Sequence, residues 1–250
     1  TDFKDPFYWP DVICVQDKLG KEIIQEAWIG YEQRGSKIEI TGQPAFDHLL
    51  AFDRLQAVET IRRETVCNTN WPVVLYAGQF QGTGITLRAL VEALNILPNP
   101  VHFVAIKHPR IGTNAFEEEQ SWNEVLSMFR NGTILEKGRF STDEWVAASD
   151  VVVSMLSTVL ATAAYFRKEC LSILLPTAGQ KRLTESGLNF LPYEKFGICA
   201  VARSQEKINA LLAQALSSEG FGMRSAQEKH FKLDGLNASR VANVVEGLLK

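Results

Sequence analysis

From Pro72 onward the chain alternates short apolar runs with stretches of helical period, and this constrains its fold more than any other feature. Residues 72–77, 101–106, 150–153, 171–175 and 198–201 are apolar runs bounded by turn residues, the form of parallel strands buried on both faces. Residues 133–136 make a weaker run. Between the runs, Leu87, Leu90, Val91 and Leu94 fall on one helical stripe, as do Ile208, Leu211, Leu212 and Ala215. Residues 115–130 and 156–167 read as further helices. Ser141 or Thr142 is placed to cap another, with Glu144 completing a capping box. The terminal stripe Val241, Val244, Val245, Leu248 and Leu249 predicts a last amphipathic helix. Such alternation specifies an α/β fold, a doubly wound parallel sheet with helices on both faces. Right-handed crossovers then bring every strand-to-helix turn to one edge.

Residues 1–71 read differently. A strand over 11–15, a helix over 18–28 and a strand over 37–41 make one β-α-β extension. Thr41-Gly42-Gln43-Pro44 follows, then a helix from about 46 to 66 and a hinge-like turn at Cys67-Asn68-Thr69-Asn70. So short a segment either extends the main sheet or belongs to another domain, and the boundary is expected near residue 71, with 72–250 as the main domain.

Bulk properties exclude several classes. A formal net charge of −3 lacks the basic excess of a nucleic-acid binder. No apolar run approaches the roughly 20 residues of a membrane helix, and the first residues carry no signal-peptide pattern. Cys14, Cys67, Cys170 and Cys199 are widely spaced with no Cys-x-x-Cys, so buried free thiols are expected. A cytoplasmic location follows from these readings.

The candidate site is built from the turns. Gly78-Gln79-Phe80-Gln81-Gly82-Thr83-Gly84 leaves the strand at 72–77 and opens a helix, where glycines admit a ligand to backbone N–H groups and the dipole favours an anion. It matches neither the dinucleotide fingerprint, whose third glycine is here Leu87, nor a P-loop. Lys107-His108-Pro109-Arg110 gives the next turn two cations and an imidazole fixed by the following proline. Between those cations a neutral, hydrogen-bonding His108 is expected, and it is the sole catalytic candidate. Ser154, Ser157 and Thr158 offer hydroxyls at a helix start, able both to cap and to face a phosphate. Gln180, followed by Lys181 and Arg182, ends a further polar turn. His48, His102 and His230 are read as structural. No Asp-x-Asp pair, His-Glu-x-x-His or Gly-x-Ser-x-Gly is present, so neither a metal site nor a cofactor is expected.

In this order, the glycine turn, Lys107-His108-Pro109, the 150–158 run with its serine and threonine pair, and a strand ending in Pro176 resemble the nucleotide-sugar-binding C-terminal half of GT-B fold glycosyltransferases, a Rossmann-like domain. Thr41-Gly42-Gln43-Pro44 with Asp47 is similar to a stretch in UDP-N-acetylglucosamine 2-epimerase-like proteins, and Asp234-Gly235 to the closing helix of several such groups. The resemblance implies metal-independent sugar transfer from a UDP-, CMP- or CDP-linked donor. It also implies donor contacts at Gly78, Gln79, Gly82, Thr83, Gly84, Lys107, His108, Arg110, Ser154, Ser157, Thr158 and Gln180. Thr162 stands where these proteins carry a ribose-binding glutamate. Residues 1–71 would then be the remnant of, or linker to, an acceptor domain, with a second domain or subunit supplying the acceptor site. A 2-epimerase or sugar-nucleotide hydrolase, and a non-catalytic binding or assembly module, are the alternative readings.

Overall fold

The computed structural model describes residues 10–27, 35–65, 68, 70–79, 82–109, 116–185, 187–188, 190–231 and 233–249, with backbone alone at 26–27 and 116–120. The chain separates into two compact units, Thr1–Phe52 with Leu233–Lys250, and Asp53–Lys232. The boundary read from sequence at residue 71 differs from this division, which joins the helix Arg54–Thr65 to the sheet and the terminal helix to the β-α-β segment.

In the smaller unit, β1 (Val12–Val15) and β2 (Lys37–Ile40) pair in parallel, connected through α1 (Lys18–Ala27). They form a sheet of their own rather than extending the larger one. The single helix expected over 46–66 is two elements: a 3-10 helix, Pro44–Leu50, and a separate α-helix from Arg54. Proline at the first turn favours the earlier start. The Asp53 carboxylate accepts the Gln56 N–H at 3.0 Å, which caps the later one. The terminal helix, Asn237–Leu248, is anchored where the Asp47 carboxylate accepts the N–H groups of Asn237 and Ala238 at 3.2 and 2.8 Å. Its apolar stripe is not buried: Val245, Leu248 and Leu249 are 51%, 54% and 81% exposed.

The larger unit runs α2 (Arg54–Thr65), β3 (Val73–Ala77), α3 (Thr83–Asn95), β4 (Val101–Ile106), α4 (Phe116–Leu126), β5 (Gly132–Leu135), α5 (Thr142–Ala148), β6 (Val151–Ser154), α6 (Val159–Tyr165), β7 (Glu169–Ile173), α7 (Lys181–Glu185), α8 (Pro192–Lys195), β8 (Ala200–Ala202), α9 (Gln205–Ala215) and α10 (Arg224–His230). Six strands form one wholly parallel sheet in the order β5-β4-β3-β6-β7-β8, the doubly wound sheet the alternation specifies. Helices α3, α4 and α9 pack together on one face, while α2, α5, α6 and α10 associate on the other. Leu87, Leu90, Val91 and Leu94 are fully buried against Val74, Tyr76, Phe103 and Val153. Each such side chain contributes about 1.5–3 kcal/mol by leaving water.

The capping box at α5 is present in full. Ser141 Oγ accepts the Glu144 N–H at 3.2 Å, and the Glu144 carboxylate accepts the Ser141 N–H at 2.7 Å. Cys170 and Cys199 are buried free thiols, and burial pushes both well above the ordinary thiol range. Cys14 departs from the expectation: it is exposed on β1. Cys67 lies outside the described residues.

Candidate functional site

The strand order reverses between β3 and β6, because β4 and β5 continue to one side and β7 and β8 to the other. At such a switch point the turns leaving two neighbouring strands diverge to opposite faces and leave a crevice. Ala77 is in register with Ile106 on β4 and with Ser154 on β6. The turns beginning at Gly78, Lys107 and Met155 therefore leave the same edge side by side.

The turn after β3 is held from beneath. Gly78 N–H donates to the Ile106 carbonyl at 2.9 Å. Thr83 Oγ1 donates to the Gln79 carbonyl at 2.6 Å and accepts the Gln79 N–H at 2.7 Å. Tyr76 Oη lies 2.5 Å from Thr86 Oγ1 and 3.3 Å from the Thr83 carbonyl, tying the first turn of α3 to β3. Thr83 is fully buried, so its hydroxyl shapes the turn and does not face solvent. Ser154 is likewise buried, its hydroxyl donating to the Ala77 carbonyl at 2.6 Å and accepting from Gln79 Nε2 at 3.5 Å. These two residues build the edge on which others stand.

The glycines serve close packing as well. A Cβ on Gly78 would lie 2.9 Å from the Trp122 ring, and one on Gly84 would lie 3.0 Å from Ser121 Oγ. Gly82, at φ +74°, starts α3 with its Cβ position 3.1 Å from that of Ala178, in the turn after β7. Met155 is fully buried beneath that contact. The space directly between Gly82 and the β7 turn is thus filled. A cavity of about 660 Å³ opens beside it, lined by Gly82, Gly84, Arg88, Ser121, Leu175 and Thr177 among others.

Lys107 and His108 are half-buried in the turn after β4, and Arg110 lies outside the described residues. Ser157 Oγ accepts the Val159 N–H at 3.2 Å, while Thr158 is exposed at the start of α6. The helix starts at Val159, later than the 156 read from sequence. Thr162 is 6% exposed within the first turns of α6. Gln180 ends the turn Pro176–Gln180, its N–H donating to the Leu175 carbonyl at 3.1 Å. Lys181 pairs with Glu185 at 3.9 Å on the surface. Among the described residues no cluster of three or more His, Cys, Asp or Glu side chains could hold a metal ion.

Sequence reading missed Arg88 and Ser121, while Thr177 lies in the polar turn that Gln180 ends. Arg88 follows Gly84 by one helical turn, which was a legible signal. Ser121 and Thr177 come from other elements, and no local pattern links them to α3. The remaining histidines are placed as expected: His48 Nδ1 lies 2.9 Å from the Ala45 carbonyl, His102 is buried on β4, and His230 stacks on Phe196 with centroids 4.5 Å apart.

No protein-family model matches the sequence, and no curated protein sequence matches it. Solved structures do match over nearly the whole chain. The wall teichoic acid polymerase TagF, soaked with CDPG, aligns at a TM-score of 0.58 and 12% identity, over 98% of this chain and 58% of that one. HepE from Anabaena, in complex with UDP and glucose, aligns at 0.52 and 13% identity, over 95% and 63%. A UDP-glucosyltransferase from Polygonum tinctorium aligns at 0.53 and 12% identity, over 94% and 53%. The chain thus spans about 58% of the length of the TagF chain it matches. Identities this low speak to the fold, and the fold they share with this chain is that of a C-terminal GT-B-like half.

Proposed function

We propose that the chain binds a nucleotide-activated sugar at the carboxyl edge of its six-stranded sheet and takes part in metal-independent transfer of that sugar to an acceptor. The observation that carries the reading is the register of Ala77 with Ile106 and Ser154, which gathers three polar turns at the switch point. The N–H groups opening α3 at Gly82–Gly84 and the hydroxyls of Ser157 and Thr158 would meet the diphosphate. Lys107 and His108 would flank the bond to the sugar. Ligands of the matched structures, CDPG in TagF and UDP with glucose in HepE, support a pyrimidine nucleotide donor. The acceptor site would come from a second domain or subunit.

Calorimetric titration with UDP-, CMP- and CDP-linked sugars, with and without EDTA, tests this. Saturable binding of at least one, unchanged by the chelator, is expected. Binding of none, or binding lost with EDTA, contradicts the reading.

A second reading, a non-catalytic binding or assembly module, is favoured by Thr162 in place of a ribose-binding carboxylate. His108→Ala separates the two. A transferase loses most of its turnover with donor affinity little changed, whereas a binding module shows no turnover to lose.

A further inference from the structure

At the opposite, amino-terminal edge of the sheet a second cavity of about 690 Å³ opens, a volume suited to a small molecule. Its lining combines the Trp71 indole with Pro98 and Pro100, and its polar groups are Arg62, Asn70, Asn99, Asp150 and Ser217. The indole packs on the buried His102 imidazole with centroids 5.3 Å apart, which fixes one side of the ring. His102 Nε2 is satisfied by the Asn68 carbonyl at 2.8 Å, while its Nδ1 has no partner among the described residues.

Arg62 and Asp150 are the two charged groups that line it. The Asp150 carboxylate is engaged, accepting the Val73 N–H at 2.8 Å and attracting the half-buried Lys168 ammonium. Arg62 makes no ion pair with a carboxylate among the described residues. The side chains of Asn70 and Asn99 make no hydrogen bond to described residues. An aromatic face, a solvent-exposed guanidinium outside any ion pair and two exposed carboxamides therefore line one cleft, with the Asp150 carboxylate held by Val73. A planar ring would stack on the indole while its anionic group paired with the guanidinium in a forked contact.

We propose that this cleft is a second binding site, separate from the carboxyl edge, for a small planar anion of the aromatic carboxylate class. It does not rest on the nucleotide-sugar reading. The probe is 2-naphthoate, followed by the Trp71 indole N–H resonance in ¹H–¹⁵N spectra. Cyclohexanecarboxylate, which lacks the flat ring, and 2-naphthylmethylammonium, which reverses the charge, serve as comparisons. A saturable shift of Trp71 with 2-naphthoate is expected, at least tenfold weaker with either comparison. Arg62→Gln, a surface change that leaves the fold intact, should weaken 2-naphthoate at least fivefold. Equal shifts with all three probes, no saturable shift with 2-naphthoate, or an Arg62→Gln variant that binds as wild type overturns the proposal.

Discussion

Thr83 Oγ1 both donates to the Gln79 carbonyl and accepts the Gln79 N–H, at 2.6 and 2.7 Å, from a fully buried position. One side chain thereby ties Gln79 to the start of α3. Thr83→Val keeps the shape and removes both bonds, leaving a backbone N–H and carbonyl unpaired. Stability should fall by about 1–3 kcal/mol, read by urea unfolding, and Thr83→Ser should recover most of it. On the proposed function, nucleotide affinity falls with Thr83→Val and returns with serine.

Gly82 is constrained twice, by its left-handed backbone and by Ala178. Gly82→Ala should cost about 1–2 kcal/mol from the backbone conformation alone, with the contact at 3.1 Å adding to it. Ala178→Gly in the same chain relieves the contact and not the backbone strain. Thermal unfolding of the double variant should therefore fall between Gly82→Ala and wild type. A double variant as stable as wild type would place the whole cost in the contact.

Much of this architecture is legible in the sequence because it is local. The Leu87, Leu90, Val91 and Leu94 stripe and the Ser141–Glu144 box need only neighbours three or four residues away, and both are found as expected. The terminal helix shows the limit, since a periodic stripe predicts a helix but not what covers it, and Leu249 is 81% exposed. The break at Asp53 was hidden because the helical period runs through it, and one carboxylate cap decided the outcome. At the site, the turns were legible as a group because parallel topology gathers them. The division of labour within them was not. That Thr83 and Ser154 face inward depends on Gln79 and Ala77, contacts set by the fold rather than by residue type.

Glu169, at the start of β7, predicts a pH dependence. Burial raises its carboxyl pKa, and the Phe221 N–H it accepts only partly opposes this. A raised value means the folded state favours the protonated acid. The stabilising contribution is therefore full below the unfolded carboxyl value and is lost as pH rises through the folded one. Glu169→Gln keeps an acceptor for Phe221 and removes the charge. It should be more stable than wild type at neutral pH by about half a kcal/mol, a modest figure because the group is only half-buried. The advantage should disappear in acid. A gap that widens as pH falls would contradict the assignment.

The most direct measurement is a residue-resolved map of nucleotide binding by ¹H–¹⁵N spectroscopy, with UDP and CDP as probes. Saturable shifts confined to Gly78, Gly82–Gly84, Lys107–His108 and Ser157–Thr158 are predicted. Shifts concentrated at the opposite edge around Trp71 and Asn99, or none at millimolar nucleotide, would contradict the claim that the carboxyl edge is the binding site.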